Sequence, residues 1–357
     1  MKKIIFLILI FFVGCGSDKV VSDDEPTTTN KTNYTNYSKE PLFYQQWAIE
    51  YNQTFYEDNQ IDKDANIHTN DLLKKYSGKG VKVAIIDDYV DTNHEDLTIS
   101  KTYSIITHSQ KLQYSDDDLH GTAVTGIIAA RANKKGILGV AYNSEIIFIQ
   151  MNNSMAESEI IEMFEKAKEL GADIINCSWG TYTQSDALQG EINKLVTNGR
   201  DKKGIIILFA VGNDNQNLDE VDDESKMKNI IAVGATNSDN KRAVYSNYGS
   251  NLDVMAPGGY YYGITTTDIS GNEGYNNTNY NLYDDKNAFA GTSAATPIMS
   301  GVIALMLEEN PNLTYSDIMN IIKNYSDKIG TLEYKNGRNN YYGYGKVNLS
   351  KYLEAIK

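Results

Sequence analysis

Cysteine is almost absent from this sequence. Cys15 sits in the first segment, and Cys177 is alone in the rest of the chain. An intrachain disulfide within the folded part is therefore excluded, and Cys177, in an apolar stretch, reads as a small buried hydrophobe. Long apolar runs are missing too: Ile4 to Val13 is too short to span a bilayer as a helix. Positive charge is in deficit, with 33 Lys and Arg against 47 Asp and Glu and a net charge of −14, which disfavours nucleic acid as a partner. No internal repeat is visible, so a solenoid is not indicated.

What is present is a set of four short segments: VAIIDDYVD at 83–91, HGTAVTG at 120–126, AVGND at 210–214 and GTSAATP at 291–297. They offer the parts of an acyl-transfer site, in the chain order Asp, His, Ser. Ser293 opens an apolar run, Ala294 to Leu307, that reads as a buried helix. A serine there holds its Oγ and its own N–H at the positive end of the helix, where an oxyanion is stabilised. Pro297 is expected in the first turn, where a missing N–H costs little. His120 opens a second helix, with Gly121 giving backbone clearance, and is the candidate general base. Asp87 ends the apolar run 81–86, a strand expected at the centre of a parallel sheet, and would orient the imidazole. Asp88 beside it leaves a choice of carboxylate, for which strand phase points to Asp87. Asn213 follows another apolar strand and would donate its amide to the oxyanion, a contact whose loss typically costs about 2.7–4 kcal/mol in the transition state.

Strand-like runs at 81–86, 145–151, 172–178, 204–211 and 229–235 alternate with helical patterns at 157–170 and 186–198. The pattern predicts a parallel sheet wrapped by helices.

On these motifs the chain resembles the subtilisin-like (subtilase) serine endopeptidases, with kexin-like features in several segments. Further matching stretches are PLFYQQWAIEYNQ at 41–53, GILGVA at 136–141, INCSWG at 175–180, SNYGSNLDVMAPGG at 246–259 and YGYGKVNL at 342–349. The resemblance implies a three-layer α/β/α fold with a mainly parallel central sheet. It assigns catalytic roles to Asp87, His120, Asn213 and Ser293, with no cofactor required for chemistry. It implies substrate binding by an extended edge at Cys177, Ser178, Trp179 and Gly180 and by a pocket lined by Ala210, Val211 and Gly212. Asp96 and Asn133 match positions that hold calcium in many relatives, although Lys134 and Lys135 beside Asn133 argue for a metal-free polar loop. Two departures stand out: Asp88-Tyr89 replaces a small pair after the catalytic Asp, placing bulk beside the triad, and the polar stretch from Asn272 to Asn287 reads as an insertion. The acidic run DEVDDES at 219–225 favours a basic residue before the scissile bond, or is merely a solvated face.

The N terminus, Met1-Lys2-Lys3 followed by an apolar run and Gly14-Cys15, has the form of a bacterial lipoprotein signal over residues 1–15, with Cys15 as the lipidated residue. Residues 16–39, rich in Asp, Thr, Asn and Ser, are expected to form a flexible tether, and residues 40–357 the peptidase domain, with no room for a folded prodomain between. The expected location is extracytoplasmic, at an outer membrane or cell surface, and the expected partners are protein or peptide substrates and the membrane reached by the lipid. The competing readings are a dedicated peptide-processing or transpeptidating enzyme of the same fold and a non-catalytic surface binding protein.

Overall fold

The structure, a computed structural model, describes residues 38–115, 118–152 and 154–357. The predicted signal, Cys15 and the tether to residue 37 lie outside the described residues. In chain order the elements are α1 (Gln53–Asp58), β1 (Lys82–Asp87), β2 (Ile99–Ser104), α2 (His120–Ala129), β3 (Glu145–Gln150), α3 (Glu157–Glu169), β4 (Ile174–Cys177), α4 (Asp186–Lys202), β5 (Ile206–Ala210), β6 (Ile231–Thr236), β7 (Val254–Pro257), β8 (Thr266–Thr267), β9 (Tyr280–Asn281), α5 (Thr292–Glu309), α6 (Tyr315–Tyr325) and α7 (Leu349–Ile356).

Seven strands form one sheet in the order β2-β3-β1-β4-β5-β6-β7, and every pairing in it is parallel. Both faces of the sheet are covered, which is why the central strands read as continuous apolar runs. Val83 and Ile85 of β1, Leu208 of β5 and Val233 of β6 face a core shared with α2 and α5. Ala84 and Ile86, with Ile207 and Phe209, face the opposite core with α3 and α4. The result is three layers, helix on sheet on helix.

The chain runs from β1 outward to β2 and β3, then returns to place β4 on the other side of β1. The β1/β4 boundary is therefore the switch point, and the carboxyl ends of β1, β4 and β5 open on the crevice where sites form in such sheets. The sequence pattern found β1, β3, β4, β5 and β6 but not β2 or β7. β2 is an edge strand whose central residues are exposed, so its apolar signal is weak. β7 is four residues long and ends in Pro257. The predicted end of α4 at residue 198 coincides with the loss of helical geometry at Gly199, Arg200 and Asp201.

Candidate active site

Asp87 is the last residue of β1 and is completely buried. Strand alternation puts its carboxylate on the α2/α5 face, and its Oδ1 meets Nδ1 of His120 at 2.8 Å. Oδ1 also accepts the Asp88 N–H at 2.9 Å, whereas Oδ2 is buried without a hydrogen-bond partner among the described residues. His120 begins α2. Burial disfavours its imidazolium, but the charge and hydrogen bond of Asp87, with the charge of Asp88, outweigh that and raise its pKa above the ordinary 6.5. The Phe289 ring stands edge-on to the imidazole, with centroids 5.3 Å apart.

Asp88, the other carboxylate, spends its oxygens on backbone N–H groups. Oδ2 accepts the His120 N–H at 2.9 Å, and Oδ1 accepts the N–H of Gly121 and of Tyr89, both at 2.6 Å. Asp88 thus caps the first turn of α2, a task Leu119 at the N-cap position has no polar side chain to perform. Burial first, and the neighbouring Asp87 charge second, push the Asp88 carboxyl up to about 7. Tyr89 has no positive φ, and its ring lies 5.0 Å from that of Tyr114. The bulk expected beside the triad is directed at that second tyrosine.

Ser293 lies in the first turn of α5. Gly291 precedes the helix with φ of +120°, which favours glycine, and a Cβ there would press on Asn213 Nδ2 at 3.1 Å. Oδ1 of Asn213 accepts the N–H and the hydroxyl of Thr292, each at 2.9 Å. Both bonds fix the amide so that its Nδ2 is left to donate. Ala294 and Ala295 give their N–H groups to the Gly291 carbonyl. The Ser293 N–H has no acceptor among the described residues, which leaves two donors converging at a positive helix end.

Pro297 is the sixth residue of α5, not a first-turn residue as its place in the sequence pattern suggested, because the helix starts two residues earlier than expected. Lacking an N–H, it leaves the Ser293 carbonyl without its helical donor. Ser178 fills that gap. Its Oγ donates to the Ser293 carbonyl at 3.1 Å and accepts from Asn176 Nδ2 at 3.0 Å, while Asn176 Oδ1 accepts from Ser300 Oγ at 2.9 Å. This buried chain ties β4 to α5 beneath the candidate nucleophile. Sequence reasoning missed it, and the only signal was a proline four residues after Ser293. The Ser293 hydroxyl itself donates to the Ser178 carbonyl at 2.9 Å.

The expected binding residues divide in two. Cys177 and Val211 are fully buried in the core behind the sheet, and β4 is paired on both sides by β1 and β5. They cannot line a channel or offer a free edge, and the assignment is corrected for both. Of their sequence neighbours, Trp179 also packs on that core, whereas Ser178 turns to the opposite face, where it meets Ser293. Ser178, Trp179 and Gly180 leave the end of β4, with Trp179 Nε1 held by the Ile86 carbonyl at 2.8 Å. Ala210 ends β5, and Gly212, with φ of +92°, donates its N–H to Thr292 Oγ1 at 3.2 Å. The insertion from Asn272 to Asn287 carries β9 and brings Tyr275 against Phe289, with centroids 6.0 Å apart, behind His120.

For calcium, the fit is partial. Asp96 is fully buried, its Oδ1 has no hydrogen-bond partner among the described residues, and burial raises its carboxyl to about 7. Glu40, whose charge acts on Asp96, has an equally orphaned buried Oε2. Two facing carboxylates with unused oxygens suit a hard divalent cation. Asn133 suits it less than expected: its Oδ1 is spent on the Lys135 N–H at 2.9 Å and its Nδ2 on the Glu95 carbonyl. Among the described residues no group of three or more His, Cys, Asp or Glu is arranged to hold a metal. Lys135 turns away to pair with Glu95 at 3.1 Å. His94 donates from Nε2 to the Asn279 carbonyl and accepts the Asp96 N–H at Nδ1, which ties its loop to the segment at Asn279.

Comparison with known proteins identifies the family. Residues 78–345 match the family model described as Subtilase family. A calcium-dependent protease of Trichormus variabilis is 31% identical over 370 residues, covering 95% of this chain and 55% of that protein, so the chain spans about half that relative's length. A subtilisin of Bacillus pumilus is 35% identical over 279 residues, covering 77% of this chain and 91% of that protein. Among solved structures, a protease from Pseudoalteromonas arctica superposes with a TM-score of 0.72 at 24% identity, covering 90% of this chain and all of that one; at that identity the likeness speaks for the fold.

Proposed function

The chain belongs to the subtilase family, and we propose that it is a serine endopeptidase in which Ser293, His120, Asp87 and Asn213 carry out peptide-bond hydrolysis. The observation that carries this reading is the 2.8 Å contact between Asp87 and His120, which fixes Nδ1 as a donor and leaves Nε2 as the base. The Ser293 hydroxyl turns from the Ser178 carbonyl to Nε2, gives up its proton there and attacks the substrate carbonyl. The oxyanion that forms is met by Asn213 Nδ2 and the Ser293 N–H. The imidazolium then protonates the departing amine, and water, deprotonated by the same imidazole, releases the acid and restores Ser293. No metal or organic cofactor enters these steps. Incubation with a mixed peptide library, read by mass spectrometry, tests the reading. Internal cleavage of peptides is the expected result, and intact peptides throughout would count against it.

Structural calcium belongs to the same proposal. Asp96 and Glu40 would hold the ion, whose contribution is charge compensation far from the reacting atoms. Saturating calcium at about 100 times its dissociation constant is expected to stabilise the fold by about 2.7 kcal/mol, and Asp96→Ala to abolish the gain. Thermal melts with calcium and with chelator decide it, an unchanged melting temperature being the contrary result.

The address of the enzyme follows from the first residues of the sequence. We infer secretion, lipidation at Cys15 and attachment to a bacterial membrane facing outward, with kexin-like processing activity as the finer form of the function. Labelling cells with an alkyne fatty acid should tag the wild-type protein and not Cys15→Ala; a wild type left unlabelled, or labelled no more than Cys15→Ala, would remove the anchor from the account. Among the described residues no helix is long and apolar enough to cross a membrane.

A further inference from the structure

The insertion from Asn272 to Asn287 is built around one buried carboxylate. Asp268, fully buried just after β8, accepts the N–H groups of Ile269 and Tyr275 on Oδ1, both at 2.9 Å, and that of Asn276 on Oδ2 at 2.8 Å. A Cβ at Gly274 would collide with Asp268 Oδ1, so the turn closes only over a glycine. From the far end of the insertion, Asn287 Nδ2 donates to the Tyr275 carbonyl at 3.1 Å. The backbone on both sides of the Tyr275 side chain is thus bonded, and the direction of its ring is fixed.

That ring lies against Phe289, with centroids 6.0 Å apart, and Phe289 in turn stands edge-on to the His120 imidazole at 5.3 Å. Phe289 is itself anchored: its N–H donates to Asn281 Oδ1 at 2.6 Å, and its carbonyl accepts the Ile264 N–H at 2.7 Å. The strand from which the insertion departs is bonded to the helix that carries His120. Thr266 and Thr267 of β8 donate their hydroxyls to the Ala123 and Thr122 carbonyls of α2, at 2.6 and 2.7 Å. Tyr89 reaches the same insertion through Tyr114, whose hydroxyl donates to the Glu273 carbonyl at 3.4 Å. The two departures from the family pattern therefore meet. Burial first, then the charges of Asp88 and Asp87, hold the Tyr275 phenol well above its ordinary 10, so the ring is neutral and adds no charge to the Asp87–His120 pair.

We propose that Tyr275 is a positioning residue: it holds Phe289 against the His120 ring, so that the imidazole keeps the orientation in which Nδ1 meets Asp87 and Nε2 is presented to Ser293. One hydrogen bond at Nδ1 fixes a point of the imidazole but not its plane, and the edge-on phenyl ring supplies the second constraint. Removal of the Tyr275 ring leaves a void on the far side of Phe289, into which Phe289 relaxes, and the imidazole loses its backing. The ring acts by its bulk, and the hydroxyl has no part in it. This role rests on the peptidase reading and gives the insertion a task within it.

The test uses the full-length protein, a fluorogenic peptide that the wild type cleaves, and a small alkyl fluorophosphonate. Tyr275→Ala should lower kcat by about 10-fold or more at unchanged KM, since a reacting group misplaced by about 1 Å costs as much as about 100-fold. The rate at which the fluorophosphonate labels Ser293 should fall in the same proportion. That probe carries no peptide to touch the insertion, so its rate reports the state of His120 and not substrate binding. Tyr275→Phe keeps the ring and should rescue both rates. An unchanged kcat in Tyr275→Ala overturns the proposal. So does a loss confined to KM, a labelling rate unmoved while kcat falls, or a Tyr275→Phe as impaired as the alanine variant. If Tyr275→Ala does not fold, Tyr275→Leu, which fills the space without a planar ring, takes its place: parallel losses in kcat and labelling support the proposal, and unchanged rates overturn it. A wild type that labels and cleaves, with a Tyr275→Ala equal to it, refutes this inference only. A wild type that does neither refutes the peptidase reading and this inference with it.

Discussion

Replacing Ser293 by alanine is expected to lower kcat by about a million-fold, leaving a well-folded protein with the residual activity that binding and oxyanion donors supply. The expectation follows from the construction of the site. α5 starts at Thr292 under the grip of Asn213, the Ser293 carbonyl is tied down by Ser178, and the Ser293 N–H is left free to donate. Alanine at this position removes the Oγ and its hydrogen bond to the Ser178 carbonyl but leaves the helix, both ties and both oxyanion donors in place. The melting temperature should therefore change little while turnover vanishes. A variant that kept a substantial part of the rate would mean that another group attacks the substrate.

The second large effect separates adjacent carboxylates. Asp87→Asn should reduce kcat by about ten-thousand-fold, because an amide at that position no longer holds the productive tautomer of His120 or stabilises the imidazolium. Asp88→Asn should do far less to the rate and more to the fold. Its carboxylate accepts N–H groups from His120, Gly121 and Tyr89, and an amide nitrogen cannot accept. Loss of part of that cap costs about 1 kcal/mol of stability. Rates and thermal melts measured on the same two variants distinguish the roles, and an Asp88 variant more crippled in rate than the Asp87 variant would exchange them.

The same pair sets the acid side of the pH profile. Protonation of His120 removes the base, so activity falls as pH drops through the imidazole pKa. Burial works against the charged ring, but Asp87 and Asp88 prevail, placing the midpoint of kcat/KM above 6.5. Asp87→Asn removes the larger of those two attractions, and any residual activity should persist to lower pH than in the wild type.

Much of the scaffold is written plainly in the chain, for a physical reason. Strands buried on both faces need apolar residues at every position, so β1, β3, β4, β5 and β6 announce themselves; β2, exposed at the sheet edge, and the short β7 do not. The four site segments are legible because each sits where an apolar element ends and a polar residue begins. What escapes is whatever depends on which side of the chain a residue presents. Cys177 and Ser178 are adjacent in sequence, yet one is sealed behind the sheet and the other touches the catalytic helix. Asp88 reads as a rival to Asp87 until its three N–H donors are seen. The inward turn of Asp223 and Glu224, within a run whose other acids face water, has no one-dimensional signature. Nor does the supply of a hydrogen bond by Ser178 in place of the one that Pro297 cannot make.

The most direct measurement of the whole account is the site of reaction with a fluorophosphonate, located by peptide mass spectrometry. The wild-type protein should carry one phosphonyl group on Ser293, Ser293→Ala should carry none, and the rate of labelling should fall with protonation of His120. A protein that folds and yet stays unlabelled, or that takes the group on a different residue, would contradict it.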